Sequence, residues 1–270
     1  MFIFLGCVTR RLGRGVTMIK VENIQFGYGA KPVLKDISLN IRQGCFCGIV
    51  GPNGSGKTTL LNLITGQLQA TSGNISIKGR DIGSYRIEEL ARHIAVMPQN
   101  MDIKFPYTCL EIVGMGRTPY KTRLQGLTDQ DVAIIENAMR LTDTLDFAGR
   151  LVTELSGGER QRVLFAKALA QQPEVLFLDE SFSNMDIYYS IKCLSLLKEL
   201  CVQQGLTVVS IIHDLNLVST FCSEAVVLKA GQLVKYGSAP TVLDPELIGE
   251  VFHIKVVRAG ETGLAVLSNL

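Results

Sequence analysis

Residues 51–58 read Gly51-Pro52-Asn53-Gly54-Ser55-Gly56-Lys57-Thr58 and fill the pattern G-x-x-x-x-G-K-[ST] at every fixed position. No other stretch constrains the fold as tightly. The apolar run Cys45 to Val50 precedes it, as a strand buried on both faces would. Thr58 to Thr65 follows with helical character. Strand, glycine-rich turn and helix in that order make a phosphate cradle. Glycines let the backbone curl until several N–H groups converge on one anion. The helix start adds unpaired N–H groups and its positive end. Lys57 brings a mobile positive charge, and Thr58, with Thr59 beside it, offers a hydroxyl of the kind Mg²⁺ takes. The cradle alone does not separate an ATPase from a GTPase or a kinase.

A second feature narrows the choice. The apolar strand Val175 to Leu178 ends in Asp179 and Glu180. Asp179 is placed to hold a water on Mg²⁺, and Glu180 to polarise an attacking water. A carboxylate base gains from partial burial and from closeness to its nucleophile. Acids at a strand end also cap helices, so the pair carries weight only beside the cradle.

Composition excludes several classes. Of 270 residues, 47% are hydrophobic and 19% charged, which suits a packed core and not a disordered chain. The formal charge of +2 gives no basis for wrapping nucleic acid, and no such partner is expected. Seven cysteines at irregular spacing read as reduced, structural thiols. No apolar run approaches the roughly 18 residues that cross a bilayer. Residues 1–17 read as a flexible leader or a start placed too far upstream.

Along the chain, Ile19 to Phe26 reads as an edge strand and Ile37, Leu39 and Ile41 alternate as the next one. From about 100 to 160, glycines and prolines break the pattern, and apolar residues then recur at helical spacing from Val132 to Phe147. This stretch is expected to be a helical lobe inserted into the core. Ile187, Ile191, Leu194, Leu197 and Cys201 form one apolar helix stripe, expected to pack inward. Ala230-Gly231 reads as a hairpin turn, Pro240 to Phe252 as a short helical segment, and residues 256–270 as a tail.

Leu155-Ser156-Gly157-Gly158-Glu159, followed by Arg160-Gln161-Arg162, resembles the signature of the ATP-binding subunits of ABC transporters, with Glu159 where Gln is usual. Other elements fall in that family's order. Tyr28 lies where an aromatic residue stacks on adenine. Gln99 resembles the glutamine that touches Mg²⁺ and the attacking water. Ser183-Asn184-Met185-Asp186 resembles the D-loop, and His213 the switch histidine that contacts the γ-phosphate. The chain departs from the family at Ser181-Phe182, where a proline usually follows the catalytic Glu; its absence removes a fixed φ, adds an N–H donor and is the one hint of the alternative, a catalytically weak subunit that binds ATP in a structural role.

The resemblance covers residues 19 to 255. It implies an α/β P-loop NTPase core with a mixed sheet, an N-terminal antiparallel β subdomain and an inserted helical subdomain, the domain running over 18–255. It implies binding of ATP and Mg²⁺, with Glu180, His213, Lys57 and Gln99 catalytic and Thr58, Gln99 and Asp179 serving the metal. Tyr28, residues 51–59, Ser156 to Glu159 and Asp186 would hold the nucleotide. It also implies a second copy of the subunit, completing each site in trans through Ser156, Gly157 and Gly158, with integral-membrane permease subunits as partners on the cytoplasmic face of the cell membrane. A substrate-binding protein would act indirectly.

A finer resemblance concerns Pro106-Tyr107-Thr108, Glu111-Ile112-Val113, Gly116-Arg117-Thr118-Pro119-Tyr120 and His213-Asp214-Leu215-Asn216. These look like ATPases that energise uptake of iron–siderophore, haem or cobalamin complexes, with iron chelates favoured. Arg117 also reads as a solvated charge at a permease interface, which would say nothing of cargo.

Overall fold

The computed structural model describes residues 16–99, 101, 103–122, 126–183, 185–260 and 263–267. Strands β1 (Thr17–Tyr28) and β2 (Lys31–Arg42) form an antiparallel hairpin. The chain then enters the core through β3 (Phe46–Val50), makes helix α1 (Lys57–Ile64) and returns to the first sheet in β4 (Ser72–Ile77) and β5 (Arg80–Asp81). Helix α2 (Ile87–His93) leads into β6 (Ile94–Met97). Helices α3 (Cys109–Gly114), α4 (Asp129–Leu141) and α5 (Gly157–Ala170) follow. The core resumes with β7 (Val175–Asp179), α6 (Ile187–Gln204), β8 (Thr207–Ile211), α7 (Leu215–Phe221), β9 (Glu224–Lys229) and β10 (Gln232–Ser238). Helices α8 (Ala239–Val242) and α9 (Pro245–Phe252) precede a last hairpin, β11 (Lys255–Ala259) and β12 (Gly263–Leu267).

Two sheets organise these elements. The core sheet has six strands in the order β10-β9-β3-β8-β7-β6, and only the β9–β10 pair is antiparallel. The second sheet has four antiparallel strands in the order β2-β1-β4-β5. Alternation along the core strands decides what each face covers. Ile49, Phe177, Val209 and Val226 point into one apolar cluster with α1 and the antiparallel sheet. Val50, Leu176, Leu178, Val208 and Val227 point into the other, with α3 to α7. Both faces are covered, which is why these strands read as unbroken apolar runs. The buried Glu224 of β9 pairs with Arg42 of β2 and lies 2.7 Å from the Tyr236 hydroxyl of β10, tying the two sheets together.

Three expectations need correction. Strand β1 is interior to its sheet, hydrogen-bonded to β2 on one side and β4 on the other. The edges are β2 and β5: the alternation in β1 reports one buried face, and does not distinguish a central strand from an edge. Second, the inward stripe on α6 begins later than its periodicity suggests. Ile187 is 76% exposed and Ile191 42% exposed, while Leu194, Leu197 and Cys201 are buried. At the first turns of α6 the stripe runs past the core, while Tyr189 and Ser190 of the same turns meet Arg162 and Phe182.

Third, Arg117 is not a solvated charge. It is 5% exposed, and its Nε donates to Asp131 Oδ1 at 2.8 Å. Its Nη1 donates to Ala170 O at 2.9 Å and to Gln172 Oε1 at 3.1 Å. The guanidinium carbon lies 4.2 Å from the Tyr120 ring centre. One side chain thus joins the segment after α3, the first turn of α4 and the end of α5. Asp131 also closes the capping box of Thr128 at the start of α4.

Residues 255–259 and 263–267 pair as antiparallel strands where a tail was expected. Leu264 exchanges two backbone hydrogen bonds with the Asn216 side chain of α7, at 2.7 and 3.1 Å. Of the leader expected at residues 1–17, residues 1–15 lie outside the described residues, while Thr17 opens β1 opposite Arg42 and Val16 O accepts from Gln43 N–H at 2.9 Å, so these two belong to the sheet. Cys45, Cys47, Cys109, Cys193, Cys201 and Cys222 are all free and buried, and burial pushes the Cys193 and Cys201 thiols up to about 12, as inert structural thiols require. Among the described residues no helix is long and apolar enough to cross a membrane.

Burial alone would push the Asp131 carboxyl up, but the Arg117 guanidinium and the Thr128 N–H and hydroxyl more than offset this and hold it at about 2. Because the folded value is depressed, the contribution is present above the ordinary carboxylate range and lost as pH falls from about 4 toward 2. Arg117→Ala is expected to cost about 3 kcal/mol at pH 7 by stranding a buried carboxylate, and distinctly less at pH 3. Urea denaturation of both proteins at the two pH values checks this.

Candidate functional site

The site lies along one edge of the core sheet. Four neighbouring parallel strands each end in a site segment: β3 in the glycine-rich turn, β8 ahead of His213, β7 in Asp179-Glu180, and β6 ahead of Gln99. Ligands of open α/β sheets bind outside these carboxyl ends.

The turn behaves as a cradle. A Cβ on Gly51 would stand 2.2 Å from Leu228 O, so only glycine lets the loop pass that strand. Gly56 takes φ 98 at the N-cap of α1 and gives that helix no side-chain cap. The first N–H groups of α1 are therefore not covered by a capping side chain, as an anion-binding helix end needs. The Ser55 hydroxyl is 1% exposed and has no hydrogen-bond partner among the described residues. Lys57 folds back over the loop, its Nζ donating to Gly51 O at 2.9 Å and Pro52 O at 3.1 Å.

Opposite the cradle stand the acids. The Thr58 hydroxyl donates to Asp179 Oδ1 at 3.4 Å. Burial, and then the Glu180 charge, raises the Asp179 carboxyl above its usual value. Burial lowers the Lys57 ammonium, against the pull of Glu180 and Asp179. Glu180 adopts φ 48, an uncommon left-handed conformation for a non-glycine residue. Gln99 Nε2 donates to Glu180 Oε2 at 2.8 Å, and His213 Nε2 lies 2.5 Å from Glu180 Oε1. Asp214, next to His213, caps α7 by accepting from the N–H groups of Asn216 and Leu217, which fixes the loop carrying the imidazole.

The structure thus brings Lys57, Thr58, Asp179, Glu180, Gln99 and His213 into one cluster. It does not bring Ser156, Gly157, Gly158 and Glu159 to it. The Ser156 hydroxyl and the Glu159 carboxylate close a capping box at the start of α5, and Glu159 meets Arg150 at 3.5 Å. The Ser156 N–H and hydroxyl hold the Glu159 carboxyl below its usual value. Asp186 caps α6 by accepting from Tyr189 N–H at 3.0 Å, while Asn184 lies outside the described residues. Tyr28 is exposed at the end of β1, edge-on to Phe26 at 4.9 Å. Asn53 and Gly54 are exposed at the loop tip, and Thr59 is buried in α1.

Sequence reasoning missed three groups. The Ser181 hydroxyl donates to Met97 O at 2.7 Å and is buried, so the position that lost a proline gained a tether. Gln161 of α5 donates to Gln99 O at 3.3 Å, which joins the signature helix to the glutamine segment. Arg162 of α5 lies over the Tyr189 ring at 4.0 Å and donates to Asp143 O. Only Ser181 carried a sequence signal, as a departure from the family pattern.

Residues 34–183 match the ABC transporter family model, and this chain belongs to that family. The ABC transporter ATP-binding protein YvrA of Bacillus subtilis, itself uncharacterized, is 45% identical over 79% of this chain and 48% of its own length. The cobalamin import ATP-binding protein BtuD of Halobacterium salinarum is 40% identical over 83% of this chain and 56% of its own. The chain therefore spans about half the length of these two relatives. The petrobactin import ATP-binding protein YclP of Bacillus subtilis is 34% identical over 88% of this chain and 94% of its own. Among solved structures, one described as an inward-facing metal-chelate type ABC transporter superposes with a TM-score of 0.81, at 27% identity, over 94% of this chain and 99% of the other. The dimeric cassette MJ0796, bound to ADP and phosphate, superposes at 0.72 and 29% identity, over 82% of this chain and 99% of the other.

A lysine that grips phosphate through charge-assisted bonds contributes about 2 kcal/mol to binding. Lys57→Met is accordingly expected to weaken ATP binding roughly thirtyfold, measured by isothermal titration calorimetry.

Proposed function

We propose that this chain is the ATP-hydrolysing subunit of an ABC importer for a metal chelate, most favourably an iron–siderophore complex or haem. The contact that supports hydrolysis best is the Glu180 carboxylate held between Gln99 and His213 beside the cradle. ATP lies with its phosphates against the 51–59 loop and its adenine on Tyr28. Thr58 and Asp179 supply the hard oxygen donors that suit Mg²⁺, and the Gln99 amide oxygen would join them while its nitrogen faces Glu180. Bound there, the cation would neutralise charge on the outer phosphate oxygens.

Glu180 accepts a proton from the attacking water. The water oxygen bonds to the γ-phosphorus as the bond to the ADP oxygen breaks, giving ADP and phosphate. Lys57 and His213 donate to the phosphoryl oxygens as charge moves onto them. Ser156 to Glu159 stand apart from this cluster within one copy and complete the site of a second copy, in an isologous dimer. Permease subunits receive the closing and opening of that dimer, the chain lies peripherally on the membrane, and a substrate-binding protein delivers cargo to the permease.

Glu180→Gln is expected to lower turnover at least about a hundredfold while ATP still binds. Steady-state phosphate release and nucleotide titration, with the permease present, check both halves. Unchanged turnover would overturn the role of Glu180.

The cargo reading rests on the 106–120 segment, and on the names of the petrobactin relative and the metal-chelate structure. The higher identity of the cobalamin import relative favours a corrinoid as the second reading. In vesicles holding the reconstituted transporter, ATP-dependent uptake of ferric siderophore or haem is expected. Uptake of cobalamin alone would select the second reading.

A further inference from the structure

We propose that the Ser181 hydroxyl is a positioning group for hydrolysis, holding Gln99 and Glu180 at their contact distance. This rests on the hydrolytic reading above. Ser181 is 2% exposed, and its Oγ donates to Met97 O at 2.7 Å. Met97 ends β6, the outermost strand of the core sheet, which has β7 as its one neighbouring strand in that sheet. Gln99 stands two residues beyond Met97, and Glu180 immediately precedes Ser181. The bond therefore ties together, from behind, the two segments whose side chains meet at 2.8 Å in front.

A lone edge strand holds its last residues weakly, so the direction of Gln99 depends on what grips the end of β6. Met97 pairs with Leu178 of β7 and Pro98 fixes one backbone angle after it; among the described residues two side chains add to this, the Ser181 hydroxyl on Met97 O and the Gln161 amide on Gln99 O at 3.3 Å. The segment after Glu180 is laced in the same way. The Ser183 hydroxyl donates to Glu180 O at 2.9 Å, and Ser190 of α6 donates to Phe182 O at 3.1 Å. A proline after Glu180 would hold this turn by its fixed φ but would have no hydroxyl to reach across to β6. This chain replaces local stiffness with a cross-strand tether.

The test uses the full chain with its permease and compares wild type with Ser181→Ala, Ser181→Thr and Ser181→Pro. Misplacing a reacting group by a fraction of an ångström costs rate more than affinity. Ser181→Ala is expected to lower kcat roughly tenfold, leaving KM for ATP and nucleotide affinity within about twofold. Ser181→Thr keeps the hydroxyl, and Ser181 itself lines a cavity of about 180 Å³ with Phe182, Leu194, Ser210 and Leu217. Both Ser181→Thr and Ser181→Pro are expected to recover most of the rate, the second by restoring a stiff turn.

Hydrogen exchange of the Met97 and Gln99 backbone amides, which flank Pro98, is the second readout, without nucleotide, and is expected to quicken in Ser181→Ala. Wild-type kcat in Ser181→Ala, or a lowered melting temperature with kcat per folded molecule unchanged, would overturn the proposal. If the unaltered chain did not hydrolyse ATP, the hydrolytic reading would fail. The exchange rates would then decide alone, unchanged exchange overturning the tether and faster exchange upholding it.

Discussion

The Glu180 carboxylate is held from two sides, by the Gln99 amide at 2.8 Å and the His213 imidazole at 2.5 Å, and much of the core is arranged so that these three can meet. They lie far apart in the chain and arrive on neighbouring strands. Gln99 follows β6, Glu180 follows β7 and His213 follows β8, and β3 next to β8 delivers the cradle. Parallel strands all present their carboxyl ends on one side, so four separate segments converge without long loops. The left-handed φ of Glu180 is the local cost of turning its side chain into this gap.

Charge and burial set the character of the cleft. Lys57 is pushed down by burial and Asp179 is pushed up by burial and by Glu180. Both shifts describe a partly dry pocket in which ionised groups lean on one another. Interactions with a polyphosphate gain strength there relative to open water. The uncapped start of α1 contrasts with α5 and α7, whose first turns are covered by Ser156 with Glu159 and by Asp214. Within one copy, α1 is the helix of these three prepared to meet an anion, while α5 presents a closed capping box.

Around the cleft, contacts between distant segments fix relative placement. Glu224 with Arg42 and Tyr236 binds the antiparallel sheet to the core sheet. Arg117 joins the first turn of α4 to the end of α5 through Asp131 and Ala170 O. Gln161 connects α5 to the backbone of Gln99, so movement of that helix reaches the glutamine through one hydrogen bond. The β11–β12 pair grips α7 through Leu264 and Asn216, shortly after the His213 loop. Each is a single polar side chain meeting backbone or a buried partner, a bond type that keeps its geometry better than apolar contact alone.

Much of this was legible in the residues. The cradle is contiguous, so its pattern, its preceding apolar strand and its following helix declare both local structure and chemistry. Asp179-Glu180 was legible because it ends a buried strand, whose apolar run is visible without knowing its neighbours, whereas His213 stood out only through the family resemblance. The inward stripe of α6 was legible only in part: periodicity marks one face of a helix, but whether Ile187 finds a partner depends on where the core stops. Arg117 shows the same limit, since a charge reads as solvated until Asp131 and Ala170 are found beside it.

The sequence by itself determined the phosphate turn, the strand-end acids and the order of the motifs, because these depend on neighbours along the chain. Only the tertiary structure decided that β1 is interior, that Ser181 reaches Met97, and that Gln99 and His213 close on one carboxylate from opposite sides. Those depend on strand order and on hydrogen bonds between segments tens of residues apart, and no local pattern records a contact whose two halves are written in different places.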